Sequence, residues 1–425
     1  MSLDQKAALM PLFCVIGILF FFGSVKAEMD FSIKPRISVA TEYDDNVYFT
    51  QTEAISDVIT YISPGINARV QSPGGVASID YQLQWVFYAH QSSRNSDRHY
   101  LSLDGWKDLP GSWRFSFHDD YMKSEDPILV QQTIGGIKYE DLKYDYNEGD
   151  ADISVELGED GYLKIGYHSM FFRNRSSDVA DTVSHYPYID VKYWFSRPWG
   201  IRLQFGEDFA LFDYSDDFNE PQGNLTLYHR LDIDTTISAS AGAVSMNFNG
   251  DTADYAIYDL GLGLTRAFTE NSGIALGAGY YYQDVYQGIE DEDGLSGYIN
   301  LWIKTVRYSL SIEITKGYDE VYFDGEDLGF SHCSVFGASF NYLMAHALSL
   351  GIQTYYREDT FPQALPHEVK ERTWEFECDL GWMVNNWLSV SVGYTHWDRD
   401  ANSIDYEYQD NRLMLKLTAS KGLSL

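Results

Sequence analysis

Segments of about ten residues alternate apolar and polar side chains almost to the end of this chain, and every second junction between them is very short. In Val76–Ala89, Ile79, Tyr81, Leu83, Trp85 and Phe87 share one face, and Ser78, Asp80, Gln82 and Gln84 share the other. A strand points successive side chains to opposite faces, so each segment makes a ribbon that is wet on one side and apolar on the other. Sandwiches do this too, but here Trp, Tyr and Phe recur on the apolar face with no second set of apolar faces to receive them. A sheet that closes on itself, apolar toward lipid and polar toward water, satisfies the whole pattern. The expectation is an all-β fold: a transmembrane, antiparallel, up-and-down β-barrel.

The turn rhythm gives the strand number. Short connections fall at Ser72–Gly75, Leu109–Ser112, Gly158–Gly161, Ser196–Gly200, Asp232–Asp234, Thr269–Ser272, Thr305–Val306, Met344–Ala347 and Asn385–Asn386. Gly, Pro, Asn and Asp supply the backbone geometries of tight hairpins. Longer, acidic connections lie between them, at 44–56, 91–96, 124–143, 174–182, 213–221, 248–253, 286–293, 319–329, 359–370 and 399–406. Nine turns and ten loops give about twenty strands, with eighteen as the alternative. Outer-membrane barrels have short periplasmic turns and longer extracellular loops, which sets the orientation. Trp113, Trp199, Trp382 and Trp387 beside the short turns, and Tyr121, Phe171, Phe212, Tyr280, Tyr356 and Tyr394 near the long loops, read as two interfacial belts. Strand middles are richer in Leu and Ile, as at Leu260/Leu262/Leu264, Leu310/Ile312/Ile314 and Leu413/Leu415/Leu417.

Residues 1–27 read as a secretory signal peptide: Lys6, an apolar run from Ala7 to Phe22, and small residues at Val25 and Ala27 before the expected cleavage. Residues 28–425 then form one barrel, with the first strand at Ile33–Tyr43 and no plug domain before it. The mean hydropathy of −0.30 does not suit a helical membrane protein. The expected location is the bacterial outer membrane. The formal net charge of −33 argues against a nucleic-acid partner, which wants a basic face. The expected partners are outer-membrane lipid and lipopolysaccharide and the barrel assembly machinery. Cys333 and Cys378 fall two strands apart on opposite faces, which argues against a disulfide.

Pro35–Tyr48, ending in Tyr43-Asp44-Asp45-Asn46, is followed by Ser56–Gly65 with its Ser63-Pro64-Gly65, and the chain closes on Tyr408–Leu417. This wording resembles an outer-membrane β-barrel porin family encoded beside exopolysaccharide synthesis and export genes. Specific wording covers the ends, and architecture covers the rest. The final Lys421–Leu425 departs from the aromatic ending usual in barrels. The resemblance implies a channel serving exopolysaccharide export, with periplasmic polysaccharide-export components and an anionic polysaccharide as partners. The alternatives are a general or solute-specific uptake porin, and a structural or adhesive barrel acting through its loops.

No catalytic residues are expected. His118, His168, His332 and His396 stand on different strands without a nucleophile–base–orienter arrangement, so the chain reads as a non-enzyme. Acidic loops such as Glu290–Gly294, Asp213–Asp217 and Tyr318–Asp327 offer hard oxygen ligands, but none has EF-hand spacing. No metal site and no cofactor is assigned. The candidate site is a basic collar inside the lumen near the short turns. Face parity places Arg36, Arg69, Arg114, Lys164, Lys192, Arg202, Arg230, Lys304, Arg307 and Lys416 there, where cations would gather an anionic cargo. The longest loop, 124–143, carries Pro127, Ile128, Leu129, Val130, Ile134 and Ile137 and is the expected constriction.

Overall fold

The computed structural model describes residues 29–125, 143–174, 181–213, 215–250, 252–286, 290–321, 329–362, 368–402 and 407–424. The signal-peptide assignment and the six apolar residues of loop 124–143 fall outside them. The first strands are β1 Asp30–Asp44, β2 Asp57–Ser72, β3 Gly75–Tyr88, β4 Ser96–Leu109, β5 Trp113–Ser124, β6 Tyr144–Glu156 and β7 Tyr162–Asn174. The next are β8 Thr182–Trp194, β9 Trp199–Phe212, β10 Phe218–Arg230, β11 Thr235–Phe248, β12 Tyr255–Thr269, β13 Ser272–Val285 and β14 Glu292–Lys304. The last are β15 Tyr308–Val321, β16 Gly329–Ala345, β17 Leu348–Phe361, β18 Val369–Met383, β19 Leu388–Ala401 and β20 Tyr408–Ser420.

Each strand pairs antiparallel with its sequence neighbours, and β20 closes the sheet on β1, from Arg36↔Ser420 to Asp44↔Arg412. A two-residue piece, β21 Leu423–Ser424, continues along β1. The result is a closed twenty-stranded barrel, as the alternation predicts. Closure joins the first strand to the last, so the sheet has no free edge strand, as a membrane-spanning sheet requires.

Short connections share one end and long ones the other. At the β4–β5 turn Gly111 takes φ +80°, a left-handed geometry that glycine adopts without a Cβ clash. In the β10–β11 turn the backbone N–H of Asp234 donates to Asp232 and holds that carboxyl below its ordinary range.

The faces follow the predicted parity. Ile79, Trp85 and Phe87 are exposed on the outside of β3, and Leu260 and Leu262 are 64% and 70% exposed on β12. Trp113, Trp199 and Trp382 point outward beside the short turns and Trp387 sits in one. Tyr121, Phe171, Tyr280, Tyr356 and Tyr394 point outward near the long loops. Phe212 does not join that belt. It shares the inward face of Ala210 and packs 5.8 Å from Phe218, because β9 reaches its loop end one residue out of step with the belt positions. Cys333 and Cys378 stand on β16 and β18 with opposite facing, and both are free.

Candidate functional site

Among the described residues, polar side chains of the strands converge on the lumen, and its two halves differ. Toward the short turns, Arg36, Arg69, Arg114, Lys164, Lys192, Arg202, Arg230, Lys304 and Lys416 all occupy inward register positions. Arg307 differs: it lies in the β14–β15 turn and not on the wall. Most of these bases are already engaged. Arg36 reaches Asp80 at 2.5 Å, Arg114 reaches Asp108 at 2.8 Å, and Arg202 reaches Asp190 at 2.7 Å. Lys164 lies 3.6 Å from Asp152, and Arg230 reaches Asp160 at 2.7 Å while its guanidinium covers the Trp194 ring at 3.6 Å. Lys192 stands over the rings of Trp194 and Tyr228.

Two of the remaining bases, Lys304 and Arg307, line a cavity of about 580 Å³. It opens at the short-turn end between β14 and β19. Lys304 and Arg307 form one side, Glu377 and Asp379 the other, and Ser309, Ser339, Asn341, Gln353 and Ser391 the floor. Among the described residues none of these four charged groups has an oppositely charged partner within 4.0 Å. Uncommitted donors and acceptors of both signs therefore line this cavity together. Around them the wall is acidic. β18 presents Glu371, Glu375, Glu377 and Asp379 inward with no base among them, and β6 presents Glu148, Asp150 and Asp152.

The long-loop half is narrowed from within. β14 and β15 pair only from Gly297↔Lys316 to Lys304↔Ser309, whereas β15 and β16 stay paired out to Val321↔Gly329. Above Lys316 the free edge of β15 curls into the barrel as a flap. Ile314 and Phe336 lie on its outer face and are exposed. Further up that same face, Tyr318, Glu320, Phe330 and His332 instead meet the inner wall of β9–β14. Phe330 and Tyr318 pack with Ala210, Phe218, Met246, Tyr255, Ile257 and Tyr281. The Tyr255 hydroxyl donates to Glu320 at 2.8 Å, the Tyr281 hydroxyl lies 2.6 Å from His332 Nδ1, and His332 Nε2 lies 3.1 Å from Glu292.

The connection after β1 also turns inward. Val47 is buried against Ala40, Ile59, Tyr61 and Val86, and the Phe49 ring meets Tyr408 at 5.1 Å. Ion pairs brace the narrowed half: the buried pairs Arg399 with Glu371 and Arg412 with Asp410, each at 2.7 Å, and Arg357 of β17 with Asp359 and with the part-exposed Asp319 of the flap, each at 2.6 Å. Breaking one partner of such a pair strands a buried charge, so these residues hold the narrowed half in shape.

No protein-family model matches the sequence, and no curated protein is similar to it. Solved structures do share the architecture. The ferric enterobactin receptor PfeA of Pseudomonas aeruginosa, solved with enterobactin, aligns with 94% of this chain and 82% of its own at 9% identity and a TM-score of 0.52. The siderophore receptor PirA of the same organism aligns with 92% of this chain and 80% of its own at 8% identity, TM-score 0.50. The outer-membrane protein OpdK of that organism covers 92% of this chain and 99% of its own at 11% identity, TM-score 0.40.

The chain has the fold of an outer-membrane β-barrel. At such identities the likeness is one of fold, and what the barrel carries must be argued from its own lumen. Of the four histidines, His396 faces outward, 2.9 Å from Asn411, and His332 belongs to the flap. His118 and His168 come together on neighbouring inward positions of β5 and β7, one on each side of Asp150. The sequence shows each histidine but not their convergence.

Proposed function

We propose that the barrel is a passive channel for small polar solutes, an uptake porin. The observation that carries this reading is the asymmetry of the lumen: an inner half with uncommitted charges, leading to an outer half narrowed by the flap and by the connection after β1. A single solute of a few polar groups fits such a path better than a continuous polymer strand. A passive pore has no direction of its own, so solutes consumed inside the cell run inward down their gradient. The excess of lumen carboxylates supports a preference for cationic and zwitterionic solutes over anions, since fixed charge in a pore sets ion preference.

Purified barrel in a planar bilayer should conduct, with a reversal potential on the cation side. Changing Glu377→Gln and Asp379→Asn together should move that potential toward anions by a clear margin at low salt, where screening is weakest. Absence of conductance in the wild-type barrel would remove the channel reading and favour the structural one.

The basic residues near the inner mouth favour a second reading, a conduit for exopolysaccharide, because cations there would collect an anionic polymer. Changing Arg114, Lys164 and Arg202 together to Gln distinguishes the two. Assembly should persist, because lumen substitutions leave the lipid-facing band intact. On the uptake reading, cation preference rises and surface polysaccharide is unchanged. A fall in surface polysaccharide with the barrel assembled would establish the export reading.

A further inference from the structure

The cavity of about 580 Å³ at the short-turn end lies across one register row of the inner wall. That row runs Lys304↔Ser309, Ser309↔Asn341, Asn341↔Gly351 and Gly351↔Asp379, each pair directly cross-strand from β14 to β18. A base thus stands at one end and an acid at the other, with short side chains between. The neighbouring row, one step toward the long loops, ends in the same way with Ser339↔Gln353 and Gln353↔Glu377. Arg307 adds a second cation beside Lys304 from the β14–β15 turn. Lys304, Arg307 and Asp379 are exposed, and Glu377 is half-buried.

The floor is as uncommitted as the rims. Among the described residues, the side-chain amides of Asn341 and Gln353 make no hydrogen bond to another protein group. A carboxamide offers an acceptor oxygen and an N–H donor, the complement of a peptide group. No side chain rises between Asn341 and Asp379, because Gly351 stands there. A Cβ added to it would lie 3.4 Å from Asn341 Oδ1 and 3.9 Å from Asp379 Cβ. The recess therefore presents cations, then a strip of amide donors and acceptors, then anions.

Its length selects among zwitterions. Strands lie about 4.8 Å apart, so four steps put Lys304 and Asp379 ~19 Å apart at the backbone. Convergence of side chains toward the axis of a closed barrel shortens the gap between their charged heads to roughly 14 Å. Ion pairs of about 2.8 Å at both ends leave ~8 Å for a ligand. An extended chain advances about 3.3–3.6 Å per residue, so a dipeptide or tripeptide bridges the recess. A free amino acid carries both charges on one carbon and reaches one rim only.

We propose that this recess binds short zwitterionic peptides, dipeptides and tripeptides, with Lys304 and Arg307 taking the carboxylate and Glu377 and Asp379 the amino group. Such a site rests on the uptake-porin reading, for which it supplies the solute class.

Purified full-length barrel in planar bilayers tests this, with triglycine as the probe. Triglycine should reduce the ion current in a saturable way, and glycine at equal concentration should not. Capping either terminus, as N-acetyl-triglycine or triglycine amide, should raise the half-blocking concentration about three- to tenfold. Glu377→Gln with Asp379→Asn should erase the difference between triglycine and its acetylated form. Lys304→Gln with Arg307→Gln should erase the difference between triglycine and its amide. Gly351→Leu fills the floor without changing charge, so it should weaken the block while the reversal potential stays in place. Glu148→Gln with Asp150→Asn removes equal charge from β6, beyond a Debye length of about 8 Å, and should change the block less than about twofold. Heat-modifiable migration confirms that each variant is folded. An open channel that triglycine leaves unblocked, or block that keeps its dependence on both termini in the charge variants, would overturn the site and leave the channel standing. A barrel without conductance would instead remove the channel reading, and saturation-transfer NMR of triglycine on the same variants in detergent would then judge the site by the same comparisons.

Discussion

Removing the flap should raise single-channel conductance several-fold. The variant joins Gly317 to Cys333 through Asn-Gly and so deletes residues 318–332. A two-residue Asn-Gly loop suits a tight hairpin, and Gly317 and Cys333 are already direct partners in the β15–β16 register. The deletion leaves the whole Gly297–Lys304/Ser309–Lys316 ladder in place, so β14 and β15 remain joined where the wall depends on them. What it removes is the packing of Tyr318 and Phe330 on Ala210, Phe218, Met246, Ile257 and Tyr281. Water then reaches inner-wall positions that are now dry. Ohmic current scales with the open cross-section at the narrowest point, so opening that point changes conductance more than any charge substitution in the inner half. Planar-bilayer recording reads the result directly. A conductance equal to that of the intact barrel would mean that the flap is not the constriction.

The flap is also the feature least legible in the sequence. Tyr318, Glu320, Phe330 and His332 continue the alternation of Ile314 and Phe336 without a break, and alternation reports which side chains share a face, not where that face goes. Here the face changes meaning because β15 outruns its pairing with β14. The expectation of a constriction in 124–143 came from composition and is not addressed by the described residues. The barrel itself was readable because tight turns fix register. Asp104 and His118 lie equally far from Gly111 in its turn, and Asp150 and His168 equally far from the turn at Glu159, so each pair can be counted on paper. The partnership of His118 with Asp150 cannot, because it runs across the long connection between β5 and β6, whose length does not set the register. For the same reason the inward facing of the basic residues on the strands was legible, Arg307 in its turn excepted, while their acidic partners on more distant strands, such as Asp80 for Arg36, were not.

The largest stability effect is expected on the outside of the barrel. Leu262 stands at the middle of β12, 70% exposed, between Leu260 and Leu264 on the outward face. Leu262→Arg should destabilise the barrel by about 2–4 kcal/mol, the cost of a charged side chain at the bilayer midplane. The guanidinium cannot reach either interface without bending past flanking leucines, and no acidic residue shares that stretch of the outward face on β11 or β13: the outward neighbours there are Ala239, Ala241, Leu276 and Ala278. Ser311→Arg is the matched control. Ser311 faces the lumen, where water solvates the charge, and the change should be near neutral. Denaturant titrations of both variants refolded into lipid bilayers give the comparison, with a shifted midpoint at unchanged slope as the mark of altered stability. In detergent, where the chains pack loosely and water follows the charge, the Leu262→Arg cost should shrink. Equal stability of the two variants in bilayers would mean that β12 does not cross the hydrocarbon at Leu262, and the outward apolar band would have to be placed elsewhere along the strands.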